Sequence, residues 1–213
     1  MKFSIIIPAY NEEKYIENTL KSIPKRDNIE IITVCNGCTD NTEKIASKYS
    51  EIILQKEKQV SKARNIGAIS SKGSIIIFLD ADTLLTQNTL KEIELSLKNS
   101  VIGTCKVKPD SQKLKYKIAM SFKNLLLWLP WTSGIIYCTK DVFKKTNGFN
   151  ENLTKKEDKD FVRRAKHYGK FSIANTYIIN SMRRFESRGI FKTAFFWIKE
   201  TIKPTKKEYD SVR

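Results

Sequence analysis

The residues with most chemical content are carboxylates placed where a buried run of chain ends. Asp80-Ala81-Asp82 follows the apolar run Ile75 to Leu79, so a buried strand delivers Asp80 to a sheet edge. Two carboxylates so close repel each other unless hydrogen bonds or a divalent cation relieve them, and oxygen ligands beside a diphosphate suit Mg2+ or Mn2+. The bland alternative is a turn, with Asp82-Thr83 capping the next helix. Three other strand ends carry polar groups: Pro8-Ala9-Tyr10-Asn11-Glu12, Cys35-Asn36-Gly37-Cys38-Thr39-Asp40, and Gln55-Lys56, with Lys62 and Arg64 soon after. In an open parallel sheet, ligands bind beyond the carboxyl ends of the strands. One edge would then offer an aromatic ring, amides, cations and an acidic pair, a set that suits a base, a ribose, a diphosphate and its metal.

The elements that must position these groups alternate through the first hundred residues. Strands are expected at Phe3–Pro8, Ile29–Val34, Glu51–Leu54 and Ser74–Leu79. Helices are expected between them. Asn11 would cap the first, which turns Tyr15, Ile16, Leu20 and Ile23 inward and ends at Pro24. The others cover Asp40–Tyr49, Gln59–Ser71 and Leu84–Leu97. This alternation predicts an α/β fold with a mostly parallel sheet covered on both faces. Later, Ser111–Leu129, Asp141–Thr146, Glu157–Tyr168 and Gly189–Ile202 read as helices, and Gly134–Thr139, Phe171–Asn175 and Tyr177–Ser181 as strands. No linker divides the chain. Residues 1–203 are expected to form one domain, with a ligand-binding half over 1–100, a second half over 101–203, and a polar tail over 204–213.

Composition bounds the partners. The chain has 213 residues, with 39 Lys and Arg against 23 Asp and Glu, a net charge of +16. That favours anionic partners without choosing among nucleotides, lipid surfaces and nucleic acid. The four cysteines are too few and scattered for a disulfide scaffold. Cys35 and Cys38 flank Asn-Gly and read as turn residues rather than a redox or zinc motif. His167, between Lys166 and Tyr168, reads as a solvated position near a helix end. No apolar run is long enough to span a membrane. The expected location is cytoplasmic, with possible attachment to an anionic membrane face through Lys113, Lys115, Lys117 and Lys123 before Leu125–Trp131, and through Phe191, Phe195, Phe196 and Trp197 with Lys192 and Lys199.

The segments IIIPAYNEE, CNGCTDNT, SKARNIGA, FLDAD, GFNENLTKKEDKDF and SMRRF, in this order over residues 2 to 190, resemble the family 2 glycosyltransferases of GT-A fold. The resemblance implies a Rossmann-like sheet flanked by helices, a nucleotide-sugar donor and a divalent metal. It implies that Pro8, Tyr10 and Glu12 hold base and ribose, that Asp40 belongs to the second donor motif, and that Arg64 approaches the base. Asp80 would meet the ribose and Asp82 the metal on the diphosphate. Asp158, beside Glu157 at a helix start, would be the general base of an inverting reaction, and Arg183 or Arg184 would neutralise the leaving diphosphate. Asn36 departs from the family pattern, which has an acidic residue there. An amide both donates and accepts, so the choice between UDP- and GDP-linked donors stays open. The acceptor would be a glycan or a lipid-linked molecule. The competing readings are a nucleotidyltransferase, which lacks its glycine-rich phosphate loop here, and a nucleic-acid-binding module, which gives the carboxylates no task.

Overall fold

The structure is a computed structural model described over residues 2–127 and 134–189. Its parallel part consists of β1 (Phe3–Ala9), β2 (Ile29–Asn36), β3 (Glu51–Gln55) and β4 (Ile75–Leu79), running in the spatial order β3-β2-β1-β4. Four further strands follow: β5 (Thr83–Leu85), β6 (Ile102–Pro109), β7 (Ile135–Thr139) and β8 (Phe171–Asn180). They extend the same sheet beyond β4 in the order β7-β6-β8-β5. β7 runs antiparallel to both β4 and β6, β8 is parallel to β6, and β5 is antiparallel to β8. The sheet is therefore mixed: its first half is parallel throughout, as expected, and the second half combines antiparallel pairs with the parallel pair β6–β8.

The continuous apolar strands are explained by cover on both faces. Ile5, Ile7, Ile75 and Ile77 join one buried cluster with Ile16 and Leu20 of α1 (Ile16–Lys21) and Leu90 and Ile93 of α4 (Thr89–Ser96). Ile6, Ile76 and Phe78 face the other way, toward Ala63 and Ala68 of α3 (Val60–Ser70), Phe143 of α6 (Lys140–Lys145) and Phe161 of α7 (Glu157–Ala165). The remaining helices are α2 (Thr42–Ala46), α5 (Leu114–Leu125) and α8 (Arg183–Arg188), with a 3-10 turn at Lys166–Tyr168.

Several local expectations are corrected. The helix expected from Leu84 starts at Thr89, because Thr83–Leu85 pairs with β8. β6 was not expected. Gly103, Thr104, Lys106 and Lys108 interrupt its apolar pattern, yet Ile102, Cys105 and Val107 are buried and the Thr104 hydroxyl donates to the Ile135 carbonyl at 2.7 Å. The two late strands are one, β8, whose register against β6 shifts between Cys105 and Lys106. Asn11 caps nothing. It lies at φ 53, its side-chain oxygen accepts the Thr39 N–H at 2.8 Å, and Tyr15 stands at the cap of α1. The sequence pattern does not announce α8; of the helix expected at Gly189–Ile202 only Gly189 is described, where it ends α8 at φ 80, and residues 190–202, the Trp128–Trp131 segment and the polar tail lie outside the described residues.

Candidate active site

The carboxyl ends of β1 to β4 share one edge, as expected: Ala9 pairs with Cys35 and Asn36 with Gln55 in register. There Asp80-Ala81-Asp82 leaves β4 as a turn fixed from four directions. The Asp80 N–H donates to the Gly134 carbonyl at 2.9 Å, the Thr83 N–H to the Asp80 carbonyl at 3.1 Å, and the Ser181 N–H to the Asp82 carbonyl at 3.2 Å. The Thr19 hydroxyl donates to the Ala81 carbonyl at 2.7 Å. The turn enters β5, not a helix, so Asp82 is no helix cap. Its carboxylate is held at the sheet edge by backbone and not by a mobile loop.

The segment SKARNIGA becomes α3, and its small residues let it lie close to the sheet. A Cβ on Gly67 would collide with the Ile6 side chain. Close packing brings Arg64 to the strand ends at 5% exposure. Its guanidinium reaches Asp158 at 2.5 Å, Glu157 at 3.2 Å and Asp80 at 3.3 Å, and lies 5.1 Å from the Phe149 ring centroid. Burial would lower its pKa, but Asp158, Glu157 and Asp80 outweigh burial and hold it above its ordinary value. The next residue, Asn65, exchanges hydrogen bonds with the Phe149 backbone at 2.8 and 2.9 Å and so pins the segment leading to α7. Gly148, at φ +66, turns that segment against the Asn65 side chain, where a Cβ would clash. Glu157 is raised above the usual carboxylate range, by burial first and then by the Asp158 charge. The acidic start of α7 is thus more than a dipole-compatible surface, because two of its carboxylates face a buried arginine.

A second arginine joins the remaining acids. Arg183, on α8, grips Glu12 through two bonds of 2.6 and 2.7 Å and reaches Asp82 at 2.9 Å. The Tyr15 ring lies against its guanidinium at 4.5 Å, and the Met182 N–H donates to Asp110 at 3.0 Å, steadying the start of the helix. Burial pushes Asp82 up to about 6; Asp80 and Glu12 add repulsion, while Arg183 and Arg184 oppose it. Lys123 of α5, read from the sequence as part of a basic surface stretch, instead turns inward. Its pKa falls to about 8 through burial and the Arg184 charge, against the pull of Asp80 and Asp82.

Among the described residues, no three His, Cys, Asp or Glu side chains form a ready ligand set. Mg2+ and Mn2+ do not require one: one or two carboxylates with diphosphate oxygens and water suffice. A part-buried carboxylate under like-charge repulsion at the sheet edge fits such a substrate-completed site.

The other expected donor residues lie on the same edge with different tasks. Pro8 sits near the end of β1, opposite Val34. The Tyr10 ring has the Lys58 ammonium 4.7 Å from its centroid. The Asn36 oxygen accepts from the Gln55 side chain at 2.9 Å and the Gln59 N–H at 2.7 Å. A backbone N–H only donates, so that atom is the oxygen and the amide NH2 is the other end. Asp40 serves a local turn: it accepts from the Thr42 N–H at 3.0 Å and the Glu13 N–H at 3.2 Å. Burial would raise its pKa, but hydrogen bonds led by the Thr42 hydroxyl hold it below the ordinary value. All four cysteines are free, and the Cys38 thiol donates to the Ala9 carbonyl at 3.3 Å. His167 is exposed. Gln55 stands at its expected strand end, whereas Lys58 and Lys123 do not stand out in the sequence as donor-edge residues. Lys123 had a legible signal, since it shares a helical face with Tyr116 and Met120.

The sequence model of the glycosyl transferase family 2 matches residues 4–210. The chain is a family 2 glycosyltransferase. The poly(ribitol-phosphate) beta-N-acetylglucosaminyltransferase TarS of Staphylococcus aureus is 35% identical to this glycosyltransferase over 103 residues, 43% of the chain and 18% of that protein. The structure of S. aureus TarS 1-349 with UDP-GlcNAc superposes with a TM-score of 0.68 at 23% identity, covering 85% of this chain and 58% of that one. The mannosyltransferase PcManGT of Pyrobaculum calidifontis, in complex with GDP-Man and Mn2+, has a TM-score of 0.67 at 16% identity, over 93% of this chain and 64% of that one. Both likenesses show the GT-A fold, and the chain spans less than a fifth of the length of its curated TarS relative.

Proposed function

We propose that this glycosyltransferase moves a sugar from a UDP- or GDP-linked donor to a hydroxyl of a glycan or lipid-linked acceptor, with inversion and with a divalent cation on Asp82. The observation that carries the reading is the Arg64 contact set: one buried guanidinium ties Asp80 on the donor edge to Asp158 at the start of α7. The proposed donor carboxylate and candidate base thereby share one buried cation. Mn2+ or Mg2+ bound at Asp82 would stabilise negative charge on the departing diphosphate. Arg183, Arg184 and Lys123 add fixed positive charge on the same side. The acceptor oxygen attacks the anomeric carbon opposite the diphosphate, the bond from that carbon to the phosphate oxygen breaks, and Asp158 takes the hydroxyl proton. Arg64 acts as a positioning residue for Asp158. Arg183 holds Asp82, and Asp82 would be the residue to hold the divalent cation once Arg183 releases it. Tyr10, Pro8 and Asn36 form the base side of the pocket, with the Asn36 NH2 as a donor where the family carries an acceptor. Residues 1–203 are read as one catalytic unit, since strands from both halves share one sheet.

The named donors of the two structural neighbours, UDP-GlcNAc and GDP-Man, support a nucleoside-diphosphate sugar of either kind. Calorimetric titration with UDP- and GDP-sugars, with and without Mn2+, tests the reading. Binding that strengthens with Mn2+ and is lost in Asp82→Ala is expected; metal-independent binding that survives the substitution would remove Asp82 as the metal ligand.

A further inference from the structure

α5 carries a second feature on the face opposite Lys123. Leu114, Ile118, Phe122 and Leu125 are exposed by 61–71%, and their spacing of four, four and three residues draws one stripe along the helix. The helix cannot roll to hide it. Tyr116 and Met120 are buried in the core, and the Asn124 side chain exchanges hydrogen bonds with the Val107 backbone at 2.8 and 2.9 Å. A helix anchored through one face would ordinarily turn polar residues outward. Here the outward face is apolar and is bordered by exposed Lys115 and Lys117, with exposed Lys113 at the start. The chain carries no Asp or Glu from Ser111 to Lys140.

We infer that the outer face of α5 docks on an anionic membrane surface, with the apolar stripe in the headgroup boundary and the lysines on lipid phosphates. Contiguous apolar exposure of this kind marks an interaction site. An apolar stripe with a basic border is the composition of an interfacial helix. Charge complementarity selects the occupant, because a second copy of the chain would set lysine border against lysine border. The helix bears Lys123 on its inner face, within electrostatic reach of Asp80 and Asp82. Docking would therefore set the catalytic edge about one helix diameter, ~10 Å, from the headgroups. That consequence rests on the proposed transfer to a lipid-linked acceptor; the docking rests on the helix alone.

Co-sedimentation of the full chain with vesicles tests it, using phosphatidylcholine alone and phosphatidylcholine with phosphatidylglycerol at low salt. Binding to the anionic vesicles only is expected. Ile118→Glu with Phe122→Glu, and separately Lys115→Glu with Lys117→Glu, should each weaken it about tenfold or more, while the melting temperature stays unchanged. Failure of the unaltered chain to bind, or equal binding by the variants, overturns the proposal. So does a dimer that the apolar-stripe variant dissociates while vesicle binding persists. Vesicle binding that survives when no sugar donor is turned over supports the docking and separates it from the transfer reading.

Discussion

Two arginines organise the acidic residues at the strand ends, and they work under different conditions. Arg64 is buried on the inner face of α3 and faces three carboxylates, with the Phe149 ring against it. Arg183 sits on a short helix near the end of the described chain, partly exposed, and faces Glu12 and Asp82. Buried groups that leave a partner uncompensated are costly to break, whereas water and counterions relieve a partly exposed pair. The first cluster therefore reads as framework. The second reads as a place-holder, with a side-chain cation where donor and metal would later put theirs. Substitutions should separate the two.

The largest contrast is expected in catalysis. Asp158→Asn should lower kcat on the order of 10²–10⁴-fold with donor affinity retained, as for loss of a positioned base; steady-state kinetics beside calorimetry reads both. Unfolding in urea should follow. Arg64→Ala should cost about 2–3 kcal/mol by removing a buried guanidinium from three part-buried carboxylates, and Arg183→Ala no more than about 1–2 kcal/mol. Equal costs would abolish the distinction between framework and place-holder.

Proton linkage gives a third separation. The folded pKa of Asp82, about 6, lies above its ordinary 3.8. A raised carboxylate favours the folded state while protonated. Its contribution is full below pH 3.8 and is lost as pH rises through about 6. The metal-free protein should lose stability across that window, and Mn2+ with nucleoside diphosphate should restore it. Metal affinity should conversely fall as pH drops below about 6, by up to about tenfold per unit, because proton and metal compete for one carboxylate. A pH-independent Mn2+ affinity between those limits would place the metal elsewhere.

The smallest effect should be at Asn36→Asp. A carboxylate oxygen can still accept from Gln55 and Gln59, so the fold should hold. On the proposed donor pose the group facing the base changes from donor to acceptor, and the ratio of kcat/KM for UDP- and GDP-sugars should shift by about tenfold.

Much of this edge was legible locally. Continuous apolar runs located the four parallel strands, and Asp80, Asp82, Arg64 and Asp158 stood in recognisable segments. Their partners were not legible. Glu12 and Arg183 lie 171 residues apart, and only the sheet order brings them together. β6 escaped because its buried residues alternate with lysines and a threonine whose hydroxyl is satisfied across the sheet. β5 escaped because three residues carry too little pattern. Lys123 was misplaced for another reason: proximity to Leu125–Trp131 suggested a surface stretch, while its helical phase with Tyr116 and Met120 pointed inward. Periodicity was the better guide there.

The most direct test is a crystal structure of the chain with Mn2+ and a nucleoside-diphosphate sugar. Asp82 should ligate the metal with Arg183 withdrawn from it, while Arg64 still touches Asp80 and Asp158. An unmoved Arg183–Asp82 pair with the metal bound elsewhere, or an Arg64 that abandons its carboxylates for the donor, would contradict the division between framework and place-holder.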